Sequence, residues 1–288
     1  MRGNSGVAFV TLSVLLLAVS PATGEQTEPI EQIAPTTVSA PGPTAAVGSP
    51  ARRLPVLRLD FDGGPEAAGD PLHRLNSSGR APVRAVVVRR GAGAATRVPG
   101  RRGAWAARLP AYRAHPDPPR ASIRLDAAGP TDRFSPGASD FRFGADFRLD
   151  AVSHGSRLDN GDNLVQRGLF GQPAQYKVQV DGRVPLCRIK GRDGAATART
   201  RSVRSQQWYR VRCLRRGPAV TIRVWRLTPR GPVGFDSATA RSGTGPVVFA
   251  RRLPLSVGGK LDDSGEVALG SSDQFNGVVD EVVYDTAD

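Results

Sequence analysis

Two cysteines, three histidines and six glutamates are the residues best suited to covalent, metal or acid–base chemistry, and their spacing limits what they can do. Glu25, Glu28 and Glu31 sit together near the start, while Glu66, Glu266 and Glu281 are isolated from one another. A glycosidase needs two carboxylates flanking one scissile bond. Two aspartates could serve, but no spacing singles out a pair. Residues 25–288 hold no Gly-x-Ser-x-Gly, His-Glu-x-x-His or Gly-x-x-x-x-Gly-Lys. This argues against an α/β-hydrolase serine, a zinc protease and a phosphate loop. A lyase would want His or Tyr beside Arg, and no spacing marks such a set. His73, His115 and His154 stand apart, and none has a zinc-ligand spacing with Cys187 or Cys213.

Stacking on a sugar ring needs an exposed aromatic, and Trp105, Tyr112 and Trp225 are the candidates. Trp225 is opposite in parity to Val220, Ile222 and Val224, so it is expected to face outward. Trp208, between Gln207 and Tyr209, reads as structural. Aromatics in a β-sandwich serve the core more often than a ligand.

These groups sit in a chain of 288 residues, 39% hydrophobic and 6% aromatic, with 33 glycines and 24 prolines. That is turn-rich, yet apolar enough to bury a core. The net charge is +14, and Lys177, Lys190 and Lys260 are the only lysines among 40 basic residues. An acidic polymer is a compatible partner but is not required. Met1–Gly24 reads as a secretory signal: Arg2, the apolar run Val7–Val19, then Ala22-Thr23-Gly24 for cleavage. Residues 25–53 form a tether rich in Pro, Thr, Ala, Gly and Ser, and residues 54–288 form one domain. No later apolar run is long enough to be a transmembrane helix, so the location expected is extracellular. An even cysteine count in an exported chain suggests a disulfide, Cys187–Cys213, against the alternative of two buried thiols.

Period-two alternation dominates the domain. Phe141, Phe143, Ala145, Phe147 and Leu149 share one parity, with Arg142, Gly144, Asp146 and Arg148 on the other. Tyr176, Val178 and Val180 alternate with Lys177 and Gln179, and Asp181-Gly182 then turns the chain towards Val184, a hairpin signal. Cys187 and Ile189 share a parity, as do Tyr209, Val211 and Cys213, so both cysteines point inward, where adjacent strands could bridge them. Val278–Tyr284 has valines on both parities, which suits a strand covered on both faces. Arg142, Arg148, Arg188, Arg210, Arg212 and Arg223 take outward positions, and a solvated sheet face accounts for them. Arg84–Arg102 and Arg199–Arg216 are denser basic clusters. The interleaved aromatics expected of a base-stacking groove are not evident there, which argues against nucleic acid as partner.

The runs Asp162-Asn163-Leu164-Val165-Gln166-Arg167-Gly168, Gln175-Tyr176-Lys177, Trp208-Tyr209-Arg210-Val211-Arg212-Cys213, Leu255-Ser256-Val257-Gly258-Gly259-Lys260 and Phe275-Asn276-Gly277-Val278-Val279-Asp280-Glu281-Val282 carry a resemblance. With Leu57-Arg58-Leu59-Asp60-Phe61-Asp62 as opening strand, the chain resembles the LamG-like (laminin G, concanavalin A-like) modules of secreted bacterial proteins. The resemblance implies an all-β fold, an antiparallel two-sheet jelly-roll sandwich with first and last strands side by side. It implies a secreted, non-catalytic module binding a glycan or a cell-surface or matrix protein. Relatives of the same fold include glycan hydrolases and polysaccharide lyases, so fold alone does not decide. The glucanases among them carry a Glu-x-Asp-x-x-Glu or Glu-x-Asp-x-Glu strand, absent here. Many such modules hold one structural calcium ion at the sheet rim, and Asp60, Asp62 and Asp280 match the positions where its ligands would gather. Asp159-Asn160-Gly161-Asp162-Asn163 is a second oxygen-rich loop, or simply a turn.

Overall fold

The alternation becomes strand after strand, with no helix among the described residues. The structure is a computed structural model and describes residues 53–73, 75–114, 117–153, 161–250, 252–269, 271 and 273–287. The expected signal and residues 25–52 of the tether lie outside them. In chain order the strands are Leu57–Leu59 (β1), Ser77–Ser78 (β2), Val83–Arg90 (β3), Thr96–Pro99 (β4), Trp105–Arg108 (β5), Arg120–Ala127 (β6), Phe141–Leu149 (β7), Asp162–Arg167 (β8), Gln175–Asp181 (β9), Val184–Gly191 (β10), Gly194–Arg199 (β11), Trp208–Arg216 (β12), Ala219–Thr228 (β13), Gly231–Arg241 (β14), Leu255–Val257 (β15) and Gly277–Thr286 (β16).

They form two antiparallel sheets, the expected sandwich. The first runs β14-β13-β12-β7-β16-β1-β2, with the β4–β5 hairpin joined to β16. The second runs β11-β10-β9-β8-β15-β6-β3. Inward parity fills the space between them. Phe143, Phe147, Tyr176, Val178, Val211, Ile222 and Tyr284 are fully buried. Tyr176 is the hub: its ring lies 4.9 Å from Phe143, 5.4 Å from Phe141 and 5.7 Å from Tyr284. Its hydroxyl, buried with the ring, donates to the Phe134 carbonyl at 3.0 Å, as a phenol inside a core must.

The last strand closes the first sheet. β16 pairs with β7 on one edge. Its other edge meets β5 at Val278 and Val279, then β1 at Val282, Val283 and Tyr284. First and last strands therefore do lie side by side. The first half of β16 is buried on both faces, as its valines suggested.

Several arginines that composition would place on the surface are buried. Arg97 donates to the carbonyls of Gly64, Glu66 and Asp62. Arg167 donates to the Leu253 carbonyl and pairs with Asp132 at 2.6 Å. Arg215 donates to the carbonyls of Gly137, Ser139 and Gly245. The two basic clusters are thus not uniformly solvated, since each contributes one of these pins, Arg97 and Arg215.

Cys187 and Cys213 form the disulfide, with Cα atoms 5.7 Å apart. Their strands are not neighbours in one sheet, as the parity argument supposed. β10 belongs to the second sheet and β12 to the first, so the bridge crosses the sandwich. Packed sheets ordinarily lie about 10 Å apart. The small side chains of Ala196, Ala198, Ala238 and Ala240 on β11 and β14 leave room for closer approach at this end. Thiol titration of the denatured, unreduced protein is expected to find no free thiol. Replacing both cysteines by alanine is expected to cost about 3 kcal/mol in urea unfolding, from loss of loop closure. Two titratable thiols would remove the bridge.

Candidate functional site

Outward parity on the first sheet gathers side chains from strands far apart in sequence. Arg142 comes from β7, Arg210 and Arg212 from β12, Trp225 from β13, Glu281 from β16 and Arg58 from β1. They line a groove of about 540 Å³, with Pro232 of β14 at one end and Ser78 of β2 at the other. Trp225 sits directly opposite Arg210 across the β12–β13 ladder.

The floor is a charge network. Asp146 faces outward on β7 yet is only 2% exposed. Arg210 donates to both its oxygens, each at 2.8 Å, and Arg212 adds a bond of 3.3 Å. Arg212 also crosses β7 to reach the Glu281 carbonyl at 3.4 Å. Burial pushes its guanidinium down to about 10, against the pull of Asp146. Glycine at 144 leaves this crossing open. A Cβ there would stand 2.2 Å from the Val211 carbonyl oxygen, at a φ of +149° that side chains rarely adopt.

A bulge in β16 shapes the far wall. Its register against β7 slips between Asp280 and Val283, and Glu281 takes φ 47°. One extra residue lets Asp280 face Asp146 while Glu281 still reaches the groove. Glu281 receives Arg58 through two bonds, of 2.9 and 2.6 Å. Arg142 donates to Asp285, whose other oxygen takes Arg80, each at 3.1 Å. The wall arginines are therefore held in place by carboxylates rather than left to wander.

Asp280 and Asp146 are direct cross-strand partners, and like charges so placed repel. Two arginines neutralise Asp146. Asp280 instead accepts the Glu281 N–H at 2.7 Å. Burial, then Glu281, Asp146 and Asp62, push its carboxyl up to about 7. Both carboxyls lie beneath the groove, not along it, so they do not flank a cleft as a glycosidase requires.

Of the aromatic candidates, Trp225 lines the groove. Trp105 does not; the Arg97 guanidinium covers its ring at 4.3 Å. Tyr112 lies between β5 and β6, away from the groove lining. Trp208 shares the outward parity of Arg210, with Arg148 5.6 Å from its ring. Asp60, Asp62 and Asp280 each meet a protein partner. Asp62 accepts the Trp105 N–H at 2.7 Å, and Asp60 lies 3.8 Å from Arg58. Among the described residues no three His, Cys, Asp or Glu side chains are grouped to hold a metal ion. Asp159 and Asn160 lie outside the described residues. Asp162 accepts a bond from Ser153, and Asn163 is bound to Gln166 and Asp273. Asp146 and the β16 bulge escaped the sequence reading, because the pairs that bury them span 64 residues or more.

No family model matches the chain, and no curated protein matches it. Among solved structures it is similar to the binding domain of Paraclostridial Mosquitocidal Protein 1, at 13% identity and TM-score 0.49, over 82% of this chain and 50% of that one. It is similar to the LG1-3 region of the laminin alpha2 chain, at 13% identity and TM-score 0.42, over 58% and 31%. It is also similar to the carbohydrate binding module CBM66 from Bacillus subtilis, at 11% identity and TM-score 0.32, over 67% and 92%. The chain spans half or less of the first two proteins.

A carboxyl raised on folding stabilises the fold below its unfolded pKa, and that stability is lost as pH rises through the folded one. For Asp280 the window runs from about pH 4 to about pH 7, and the effect is on the order of 4 kcal/mol. Melting temperature is expected to fall across that window. Asp280→Asn, which can still accept the Glu281 N–H, should flatten the fall and raise the melting point above neutrality. An unchanged pH profile in the variant would exclude Asp280 as its source. Melts in EDTA and in excess calcium test the calcium expectation: a calcium-dependent rise that is reduced in Asp62→Asn would place the ion at Asp60, Asp62 and Asp280, and superimposed melts would remove it.

Proposed function

We propose that the chain is an extracellular, non-catalytic binding module whose arginine- and tryptophan-lined groove takes an acidic glycan. One observation carries this: Trp225 stands beside Arg210 in a groove that also presents Arg58, Arg142 and Arg212. An aromatic face suits a sugar ring, and guanidinium forks suit its carboxylate or sulfate groups. The groove is elongated across strands, which suits several sugar units rather than one. Glu281 is the carboxylate along its lining, and Arg58 holds it, which supports binding over hydrolysis. A single tryptophan offers no succession of stacking platforms, which disfavours nucleic acid. The disulfide supports an oxidising, extracellular setting.

Heparin, polygalacturonate and hyaluronan, with neutral dextran as control, are the probes for calorimetry. Binding to at least one acidic polymer is expected, weakening steeply as salt is raised. Trp225→Ala is expected to weaken it about tenfold, the value of one stacked ring. Salt-sensitive binding indifferent to Trp225→Ala would mark an electrostatic binder of acidic polymers in general. Release of reducing ends or unsaturated products would mark a hydrolase or lyase. No binding to any acidic probe would sink the proposal.

A further inference from the structure

The inward row of β3 ends in a residue that alternation does not call for. Val83, Ala85, Val87 and Arg89 share one side of the strand, opposite Ala127, Leu125, Ile123 and Ala121 of β6. Leu125, Ile123 and Ala121 are fully buried, and Val83, Ala85 and Val87 pack against the core. An apolar side chain is therefore expected at position 89. An arginine stands there instead, and it is exposed. Its neighbours in the Arg84–Arg102 cluster are answered within the protein. Arg90 pairs with Asp117 at 3.1 Å, and Arg97 donates to three loop carbonyls. Among the described residues Arg89 has no such partner.

Beside Arg89 the edge of the sandwich is open. β3 is the edge strand of the second sheet. The segment 69–72 is tied instead to the β4 side: the Gly69 N–H donates to the Arg97 carbonyl at 2.7 Å, and the Leu72 N–H to the Ala95 carbonyl at 2.8 Å. A cavity of about 200 Å³ lies between them. Leu72 and Ala95 are its buried lining, Val87 and Ala94 are half-buried, and His73 and Arg89 are its exposed polar members. The His73 backbone N–H donates to Glu66 Oε1 at 3.3 Å, which fixes the main chain there and leaves the imidazole available. No carboxylate lines the cavity. Asp70 and Glu66, nearby in sequence, are engaged with the Ala67 N–H at 2.9 Å and with Arg97 at 3.9 Å.

Chemistry narrows the occupant. A metal ion is repelled by Arg89 and finds no carboxylate in the lining. An inorganic anion suits the guanidinium, but the apolar walls give its other oxygens no donor. A plain hydrocarbon suits the walls and makes no use of Arg89 or His73. A carboxylate presents two oxygens to one guanidinium fork, and an imidazole adds a donor N–H. The cavity is smaller than the roughly 300–1,000 Å³ of pockets for drug-sized ligands, so it has room for one ring or one branched chain. We propose that this cavity is a second ligand site, taking a small carboxylic acid with an apolar body. Arg89 and His73 hold the carboxylate, and the body lies against Leu72, Val87, Ala94 and Ala95.

The test is calorimetry of the whole protein with phenylacetate, isovalerate and indole-3-acetate. Acetate, which lacks the apolar body, and phenylacetamide, which lacks the charge, are the controls. At least one of the three acids is expected to bind about tenfold more tightly than either control. Arg89→Gln, at an exposed position that spares the fold, should weaken that binding about tenfold. Ala94→Leu, checked by melting, should fill the cavity and do likewise. Trp225→Ala should leave the affinity as it is, which separates this cavity from the arginine groove. A blank panel overturns the proposal. So does phenylacetamide binding as well as the acids, binding that survives Arg89→Gln, or binding that Trp225→Ala removes.

Discussion

β16 takes hydrogen bonds along both edges, from β7 on one side and from β5 and then β1 on the other. Among the described strands, β1, β2, β4 and β5 reach the rest of the first sheet through it. Leu57 pairs with Tyr284, so nearly the whole domain must be looped before this ladder can form. Loop closure of that length is costly and slow, and the reward comes late. The groove inherits the same dependence. Its Glu281–Arg58 contact spans β16 and β1, and the bulge that presents Glu281 is a feature of β16 against β7.

Arginine is used here in two ways that composition cannot separate. Inside, Arg97, Arg167 and Arg215 collect loop carbonyls. A planar head with five donors can satisfy several acceptors at once, which a lysine ammonium on a flexible stem does less well. Outside, Arg58, Arg142 and Arg210 are braced by carboxylates, so much of the formal charge is already answered within the protein. The net excess of basic residues therefore overstates what a polyanion would meet. What remains is local and oriented, which favours selectivity over bulk attraction.

Parity made much of the fold legible. Phe141–Leu149, the Gln175–Gly191 hairpin, Trp208–Arg216 and Gly277–Thr286 were readable because each has one apolar side, or two. Trp225 was readable as an outward residue for the same reason. Parity gives the direction of a side chain but not its neighbours. It pointed Cys187 and Cys213 inward and could not say that they faced each other across the sandwich. It pointed Asp146 outward and could not say that Arg210 and Arg212 would bury it. The family resemblance gave Asp60 and Asp62 as candidate ligands and could not say that Arg58 and the Trp105 N–H would stand beside them. In each case the deciding partner lies on another strand, and alternation along one strand carries no trace of it.

The bridge between the sheets has a kinetic side. Both of its cysteines are fully buried, so a soluble thiolate has no line of attack on either sulfur while the sheets stay together. Reduction must wait for an opening large enough to admit the reductant. Under native conditions its rate is then set by how often the two layers part, much as amide exchange reports opening of a ladder. The covalent tie thus doubles as a clock for the rarest motion of the sandwich.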